Sequence, residues 1–408
     1  MSRPRQPSPS PCAGRVPSAE MLSERALTAK GRIAYIDGLR AIAVLSVVVF
    51  HAVLHIPNSP AAIPFLSWRH LLFEGSHGVD LFFVLSGFCL SHPILRKIHA
   101  SGGAEFNVYR YFAKRIVRIV PPFYLAIVVL SVAGFGTVPV GAIDLVKQSL
   151  FLDLHTTLLN ASFWTLFIEF RWYFVFPIAL ALWVRAPRAF LALACAATLA
   201  YSLTIFHFVT DVATLLPFML GIVAAHIDIN GGRLIRWVGL ALPLAVAFGF
   251  LFEFHTAVDA LFFSQTNPGW QLVAFCCVVG CARPKLRRLL SWPPLVSIGI
   301  ASYSIYLLHE PIIVLVESRG PLGPWLAPIA AIISIGAGFL FWLAWERMWT
   351  NGLLKDRAVR SVELACASAG KSLQIPKTFI LASTHHSRAE QTSQSAPQAV
   401  PALAANAG

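Results

Sequence analysis

An arginine and a histidine lie eleven residues apart in the mostly apolar segment 37–51, "DGLRAIAVLSVVVFH". Eleven residues make about three turns of an α-helix, so Arg40 and His51 share one helix face, about 16 Å apart along its axis. Ionisable side chains at membrane depth are costly and mark functional sites by default. Arg40 alone is equally well explained by pairing with Asp37 and reaching the membrane surface. The short imidazole of His51 has no such escape, which makes it the stronger candidate.

A carboxylate stands in a second apolar segment, "FWTLFIEFRWYFVFP", residues 163–177. If this segment enters from the outer side, Glu169 lies about 9 Å below its outer end, a depth similar to that of His51. We therefore predict that Glu169 meets His51 across a helix bundle and fixes its tautomer, as a general base requires. The alternative is a structural network that joins Glu169 to Arg171 or to a tyrosine.

Two arginines one turn apart precede a proline in "KRIVRIVPP", residues 114–122. The paired guanidinium groups of Arg115 and Arg118 at a helix entrance suit a phosphate-rich ligand that arrives from the cytoplasm. The alternative is attraction to anionic lipid headgroups.

Other polar side chains in apolar segments are candidates to line a cavity. Asp80 stands in "GVDLFFVLSGF", and "SIGIASYSIYLLHEP" carries Tyr303 and His309. Trp164, Arg171 and Tyr173 complete this group. His55 follows His51 by four residues, but a metal site needs a third ligand and the zincin glutamate is missing, so we predict no metal.

The elements that position these residues are membrane-spanning helices. The chain is 57% hydrophobic and 12% charged over 408 residues, about half the usual charged fraction of a soluble protein. The fold class is therefore all-α, an integral membrane helical bundle. We predict ten spans at about 33–56, 77–95, 119–136, 163–184, 188–207, 211–228, 234–252, 269–283, 294–317 and 323–346.

The net charge of +13 is explained by topology. With the N-terminus inside, the outer loops contain only Arg69, Lys147 and Arg319, and two arginines fall within spans. Retention of basic loops in the cytoplasm produces this asymmetry, so both termini are predicted to be cytoplasmic and nucleic acid is not expected as a partner. Residues 1–32 are predicted to be a disordered cytoplasmic segment, 33–349 the transmembrane domain, and 350–408 a largely disordered cytoplasmic tail.

Five pieces in order, "YIDGLRAIAVLSVVVFH", "GVDLFFVLSGF", "RIVRIVP", "FWTLFIEFRWYFVFP" and "SYSIYLLHEP", resemble the membrane acyltransferase-3 family. These bacterial O-acyltransferases modify cell-surface and secreted glycans. The resemblance covers residues 33–349. It implies that Arg40 and His51 are essential to acyl transfer, with Glu169 orienting the imidazole. Many family members have "LWHWP" where this chain has "LLHEP", so Glu310 is a departure whose role is open.

The resemblance further implies an enzyme of the bacterial inner membrane. It would transfer an acyl group, most simply acetyl, from cytoplasmic acyl-CoA to a hydroxyl of a saccharide or lipid-linked saccharide. Arg115 and Arg118 would bind the acyl-CoA co-substrate, and Arg40 or Arg171 would stabilise the oxyanion. No tightly bound cofactor is expected, and membrane lipids are partners. A proton-coupled transporter or flippase that uses Arg40, His51 and Glu169 as a relay is the competing interpretation.

Overall fold

The computed structural model describes residues 33–54, 68–134, 140–152, 159–202, 210–256, 267–319, 325–350, 352–372 and 378–382. The predicted N-terminal segment 1–32 and the low-complexity end 383–408 lie outside these residues, as does His55. The described residues form sixteen α-helices and two short strands, and twelve of these helices and both strands carry the labels used below. They are α1 (Ala34–Leu54), α2 (Gly78–Ser101), β1 (Gly103–Asn107), α3 (Val108–Ala133), α4 (Trp164–Arg185), α5 (Pro187–Ser202), α6 (Thr210–Asn230), α7 (Arg233–Thr256), α8 (Pro268–Gly280), α9 (Pro293–Ile300), α10 (Ser302–Glu317), α11 (Leu326–Phe341), α12 (Gly352–Ser372) and β2 (Thr378–Ala382).

The helices confirm the all-α class and follow the predicted apolar segments closely. Among the described residues, seven helices are long and apolar enough to cross a membrane, and eight if the bent pair α9 and α10 counts as one span. The other two predicted spans, 188–207 and 269–283, contain the shorter apolar helices Pro187–Ala200 and Pro268–Gly280. The total of ten spans and the cytoplasmic placement of both termini stay predictions.

Small residues let the central helices approach closely. A Cβ atom on Gly221 of α6 would collide with the Val84 carbonyl of α2, and one on Gly87 of α2 would collide with the Phe218 carbonyl of α6. Backbones in contact gain van der Waals packing, which replaces the hydrophobic effect as the main attraction between helices in lipid. The α2–α6 pair therefore forms a rigid wall behind α1.

A sharp bend at Ala301 separates α9 from α10 and directs α10 into the interior of the bundle. The two helices meet at 71°, and Ala301 is fully buried. From this bend α10 packs against both α1 and α11. Polar side chains on the first two turns of α10 therefore face the same interior space as α1.

The C-terminal segment corrects one prediction. Residues 350–408 were expected to be largely disordered, yet α12 covers Gly352–Ser372 and β2 pairs antiparallel with β1, from Gly103 opposite Ala382 to Asn107 opposite Thr378. The expectation was wrong for these residues because α12 is stabilised by packing and not by its own composition: Val359 is buried against Ala113 and Val117 of α3.

Candidate active site

His51 pairs with His309 where α1 and α10 meet. Nδ1 of His51 lies 2.9 Å from the Val47 carbonyl and 3.2 Å from Nε2 of His309. The two rings meet edge to face at 4.8 Å between centroids. His309 is fully buried, and its Nδ1 lies 2.8 Å from the Tyr306 carbonyl. Both histidines are among the candidates predicted from the sequence, but their pairing was not predicted.

The two carbonyl contacts fix the tautomers of both rings. A carbonyl oxygen only accepts hydrogen bonds, so Nδ1–H of His51 donates to Val47 and Nδ1–H of His309 donates to Tyr306. Nε2 of His309 then carries a lone pair and accepts from the same His51 N–H, which it shares with Val47. Nε2 of neutral His51 is left without a proton. This is the state that a general base needs.

Glu310 is the carboxylate closest to that free nitrogen. Its Oε2 lies 3.9 Å from Nε2 of His51 and accepts hydrogen bonds from the Ser162 backbone N–H at 2.8 Å and from the Ser162 hydroxyl at 2.6 Å. An anion at this position stabilises His51 once Nε2 has taken up a proton.

Glu169 does not occupy the position predicted for it. Its Oε1 accepts hydrogen bonds from Ser86 at 2.7 Å and from Tyr173 at 2.6 Å, and the hydrogen-bond partners of His51 are Val47 and His309. The prediction that Glu169 orients His51 is therefore wrong. Similar depth on two helices does not make two side chains meet, because the rotation of each helix about its axis also counts. The alternative of a network with a tyrosine describes the contacts better.

Glu169 instead faces Arg40 across a cavity of about 60 Å³. A buried site needs roughly 10–15 Å³ for one water molecule, so this space accommodates a small group. The polar residues that line the cavity come from α1, α4 and α10: Arg40, Thr165, Glu169, Ser302, Tyr303 and Tyr306. Nε of Arg40 is buried and has no hydrogen-bond partner among the described residues. A guanidinium group left incompletely bonded beside a cavity is suited to a ligand that supplies acceptor oxygens.

Tyr306 separates the cavity from the histidine pair. Its hydroxyl lies 2.7 Å from Oγ1 of Thr165 and donates to the Ser162 carbonyl at 3.1 Å. Its ring lies 5.3 Å from the ring of His309. The chain thus has a cationic compartment at Arg40 and a basic compartment at His51, which meet at one buried tyrosine.

Arg115 and Arg118 extend the cationic compartment towards the start of α3. Arg118 interacts electrostatically with Arg40, with Arg115 and with the buried carboxylate of Glu346. Arg115 lies over the rings of Tyr111 and Tyr173, at 5.9 and 6.0 Å from their centroids. The geometry agrees with an anion path along α3 to Arg40, whereas binding of acyl-CoA there stays a prediction.

Four other predicted residues have different positions. Tyr303 lines the cavity and donates to the Ile119 carbonyl at 3.0 Å. Asp80 is buried outside the cavity and lies 2.8 Å from Nδ1 of His77. Trp164 begins α4 and packs against the hydrophobic core, and neither it nor Arg171 is among the residues that line the cavity.

Ser162, Tyr306 and Glu346 are site residues that were not predicted from the sequence, and the structure gives Glu310 a place that the sequence left open. Ser304 donates a hydrogen bond to Glu346 at 2.5 Å. An acid inside the apolar segment 323–346 was the available signal for Glu346. Nothing in the sequence indicated a role for Ser162, because a serine before a helix is common. One of its two hydrogen bonds to Glu310 also comes from the backbone N–H, which every residue except proline has.

Comparison with known proteins shows which family the chain belongs to. The family profile described as "Acyltransferase domain" matches residues 33–344. The chain is 25% identical over 333 residues to O-acetyltransferase OatA of Staphylococcus aureus, covering 69% of this chain and 51% of that protein. It is 28% identical over 323 residues to the putative peptidoglycan O-acetyltransferase YrhL of Bacillus subtilis, covering 69% and 48%.

A third relative, peptidoglycan O-acetyltransferase OatA of Listeria monocytogenes, is 26% identical over 329 residues, covering 69% of this chain and 49% of that protein. The chain spans about half the length of these relatives. No solved structure matches it significantly. Because the family profile covers most of the chain and its helices are those of a multi-pass membrane protein, the chain belongs to the acyltransferase-3 family of enzymes.

Proposed function

We propose that this enzyme transfers an acetyl group from cytoplasmic acetyl-CoA to a hydroxyl of a surface or secreted saccharide, across the bacterial inner membrane. The observation that carries the proposal is the position of Nε2 of His51: the ring's Nδ1 faces the Val47 carbonyl, which leaves Nε2 as the acceptor nitrogen of the neutral ring, and Oε2 of Glu310 lies 3.9 Å from Nε2. The relatives named as peptidoglycan O-acetyltransferases favour a cell-wall glycan among the possible acceptors.

The reaction begins when the acceptor hydroxyl approaches Nε2 of His51. As the oxygen attacks the thioester carbonyl, its proton passes to Nε2, and the resulting imidazolium is stabilised by Glu310. When the tetrahedral intermediate collapses, the carbon–sulfur bond breaks and the imidazolium returns the proton to the CoA thiolate. The products are the acetyl ester and free CoA, and His51 is regenerated. The reaction needs no tightly bound cofactor.

Arg40 binds the donor in this mechanism and does not stabilise the oxyanion. It lies about 16 Å from His51 along α1, and an oxyanion donor must lie about 3 Å from the reacting oxygen. Arg40 therefore does not stabilise the oxyanion of a reaction at His51. With Arg115 and Arg118 it holds the phosphate- and carbonyl-bearing arm of the donor, so that the thioester extends past Tyr306.

The transporter interpretation loses its main support. It relied on Arg40, His51 and Glu169 as one relay, but Glu169 bonds Ser86 and Tyr173, and His51 bonds His309. An acyltransferase also releases free CoA, which a transporter or flippase does not.

The test uses inside-out membrane vesicles from producing cells, supplied with labelled acetyl-CoA. We expect the wild type to move label into a saccharide and to release CoA thiol. His51→Ala should lower both about 10²- to 10⁴-fold, the usual contribution of a general base. His99→Ala, which changes an exposed histidine at the end of α2, is the matched control and should keep wild-type activity. Wild-type rates in His51→Ala at equal protein abundance would refute the proposed base.

A further inference from the structure

Four cations from three elements gather around Lys114, near the start of α3. The strongest charge interactions of Lys114 are with Arg110, Arg115, Lys355 and Lys97, and all four repel it. Lys97 comes from the last turns of α2, and Lys355 comes from α12. We call this group the basic patch.

The C-terminal helix brings Lys355 to the basic patch through a fixed contact. Val359 lies one turn beyond Lys355, so both residues face the same way on α12. Val359 is buried against Ala113 and Val117 of α3, the first of which is the neighbour of Lys114. Glu363, one further turn along α12, accepts a hydrogen bond from Asn107 at 3.3 Å. Lys355 is therefore held beside Lys114.

Fold stability does not explain this grouping. Like charges brought together repel one another, and Arg110 stands in the first turn of α3, the helix end at which cations are unfavourable. The first turn of α3 contains no acidic residue to offset it. Only Lys97, near the C-terminal end of α2, has a position that the helix dipole favours. A bound polyanion would attract each of these cations and so offset their mutual repulsion.

The basic patch continues into the arginines of the candidate active site. Arg115 interacts with Lys114 in the patch and with Arg118 deeper in the bundle, and Nε of Arg115 is buried without a hydrogen-bond partner among the described residues. Arg118 in turn interacts with Arg40 at the cavity. A cationic path thus runs from the surface at Lys114 to the cavity between α1 and α10.

We propose that the basic patch, with Lys355 of the C-terminal helix, binds the phosphate groups of the nucleotide end of the acyl-CoA donor. The inference rests on the proposed function and extends the donor site beyond Arg115 and Arg118. Lys355 lies in the C-terminal segment, outside residues 33–344, which the family profile matches. Phosphate is also the chemistry of anionic lipid headgroups, and the test separates the two sources.

The test measures binding and not turnover, on the full chain carrying His51→Ala in nanodiscs of zwitterionic phosphatidylcholine. CoA and dephospho-CoA, which lacks the 3′-phosphate, are compared as ligands. Lys355→Ala and Lys114→Ala should each weaken CoA binding about 3- to 10-fold, the range for one charge-assisted phosphate contact at a partly exposed site. The preference for CoA over dephospho-CoA should fall with it. Both substitutions put alanine in a helix, which helices tolerate best.

Arg357→Ala is the matched control, because Arg357 is exposed on the same helix, two residues from Lys355 and so on another face. It should leave both affinities unchanged. Unchanged CoA affinity and preference in Lys355→Ala and Lys114→Ala would overturn the basic patch while leaving the donor assignment in place. If these variants instead lose bound phosphatidylglycerol, with CoA binding intact, the patch belongs to lipid headgroups and the inference is wrong. Absence of CoA binding in the parent chain would overturn the donor assignment and the patch together.

Discussion

Replacing Glu310 by glutamine tests the central claim about His51 most directly. Gln is nearly isosteric, and its amide oxygen still accepts the two hydrogen bonds that Ser162 donates to Oε2. What the change removes is the negative charge 3.9 Å from Nε2 of His51. Glu310→Gln should therefore leave the fold intact and destabilise only the state in which His51 carries an extra proton.

The structure sets the size of this effect. Two unit charges about 4 Å apart interact by about 4 kcal/mol at an effective dielectric constant of about 20. This is an upper limit, roughly 10³-fold in rate, because the glutamine dipole and local rearrangement replace part of the loss. We expect Glu310→Gln to lower kcat about 10- to 100-fold and to leave the KM for acetyl-CoA unchanged.

The assay measures initial rates of acetyl transfer against acetyl-CoA concentration in inside-out vesicles. Glu169→Gln is the informative comparison, because Glu169 faces Arg40 in the cavity and does not contact His51, so its loss should lower kcat less than the loss of Glu310 does. Glu105→Gln, on the exposed side of β1, controls for the loss of an acid. A wild-type kcat in Glu310→Gln, or a larger fall of kcat in Glu169→Gln, would refute the pairing of Glu310 with His51.

Three further predictions concern the donor path, the fold and the topology. Arg118→Ala should raise the KM for acetyl-CoA about 10-fold with a smaller change in kcat, and an unchanged KM would contradict its phosphate role. Gly221→Ala should destabilise the protein by about 1–3 kcal/mol, seen as a lower Tm in detergent, because its Cβ collides with the Val84 carbonyl. Gly336→Ala, where a Cβ meets nothing within 4 Å, is its control. A reporter fused after Gly408 should be active in the cytoplasm, and an external signal would contradict the predicted topology.

Hydropathy and helical spacing predicted much of this architecture. Apolar segments gave the helices, and the eleven-residue spacing put Arg40 and His51 on one side of α1. There Arg40 lines a cavity with residues of α10, and His51 contacts His309 of the same helix. Both properties belong to single helices, so a single sequence contains them. Which carboxylate lies near His51 depends on how three segments pack together. Depth in the membrane alone predicted Glu169. The rotation of the helices and the bend at Ala301 instead place Glu310 near His51.

The C-terminal segment was misjudged for a related reason. Its sequence has no long apolar stretch and reads as polar, but α12 needs only a narrow apolar strip to pack on α3. Val359 is buried there, with Ala358, Val362 and Trp349 packed around it. This apolar strip stabilises α12 only because Ala113 and Val117 of α3 lie opposite it. Composition averaged over the segment cannot contain this information.

The two compartments lie at different heights along α1, which indicates from which side donor and acceptor would approach. α10 runs alongside α1 in the same sense, since Ser302 and Tyr303 border the cavity with Arg40 while His309 bonds His51. From Ser302 to His309 the helix rises about 10 Å. In the proposed mechanism, a donor held by the arginines at one end extends its acyl group past Tyr306, which lies about one helical turn from His309, to the histidine pair. In that mechanism an acceptor from the opposite side would reach His51 first. The base would not have to move between the two sides of the membrane, because the proposed donor would span the cavity and the acceptor hydroxyl would meet it at Nε2 of His51.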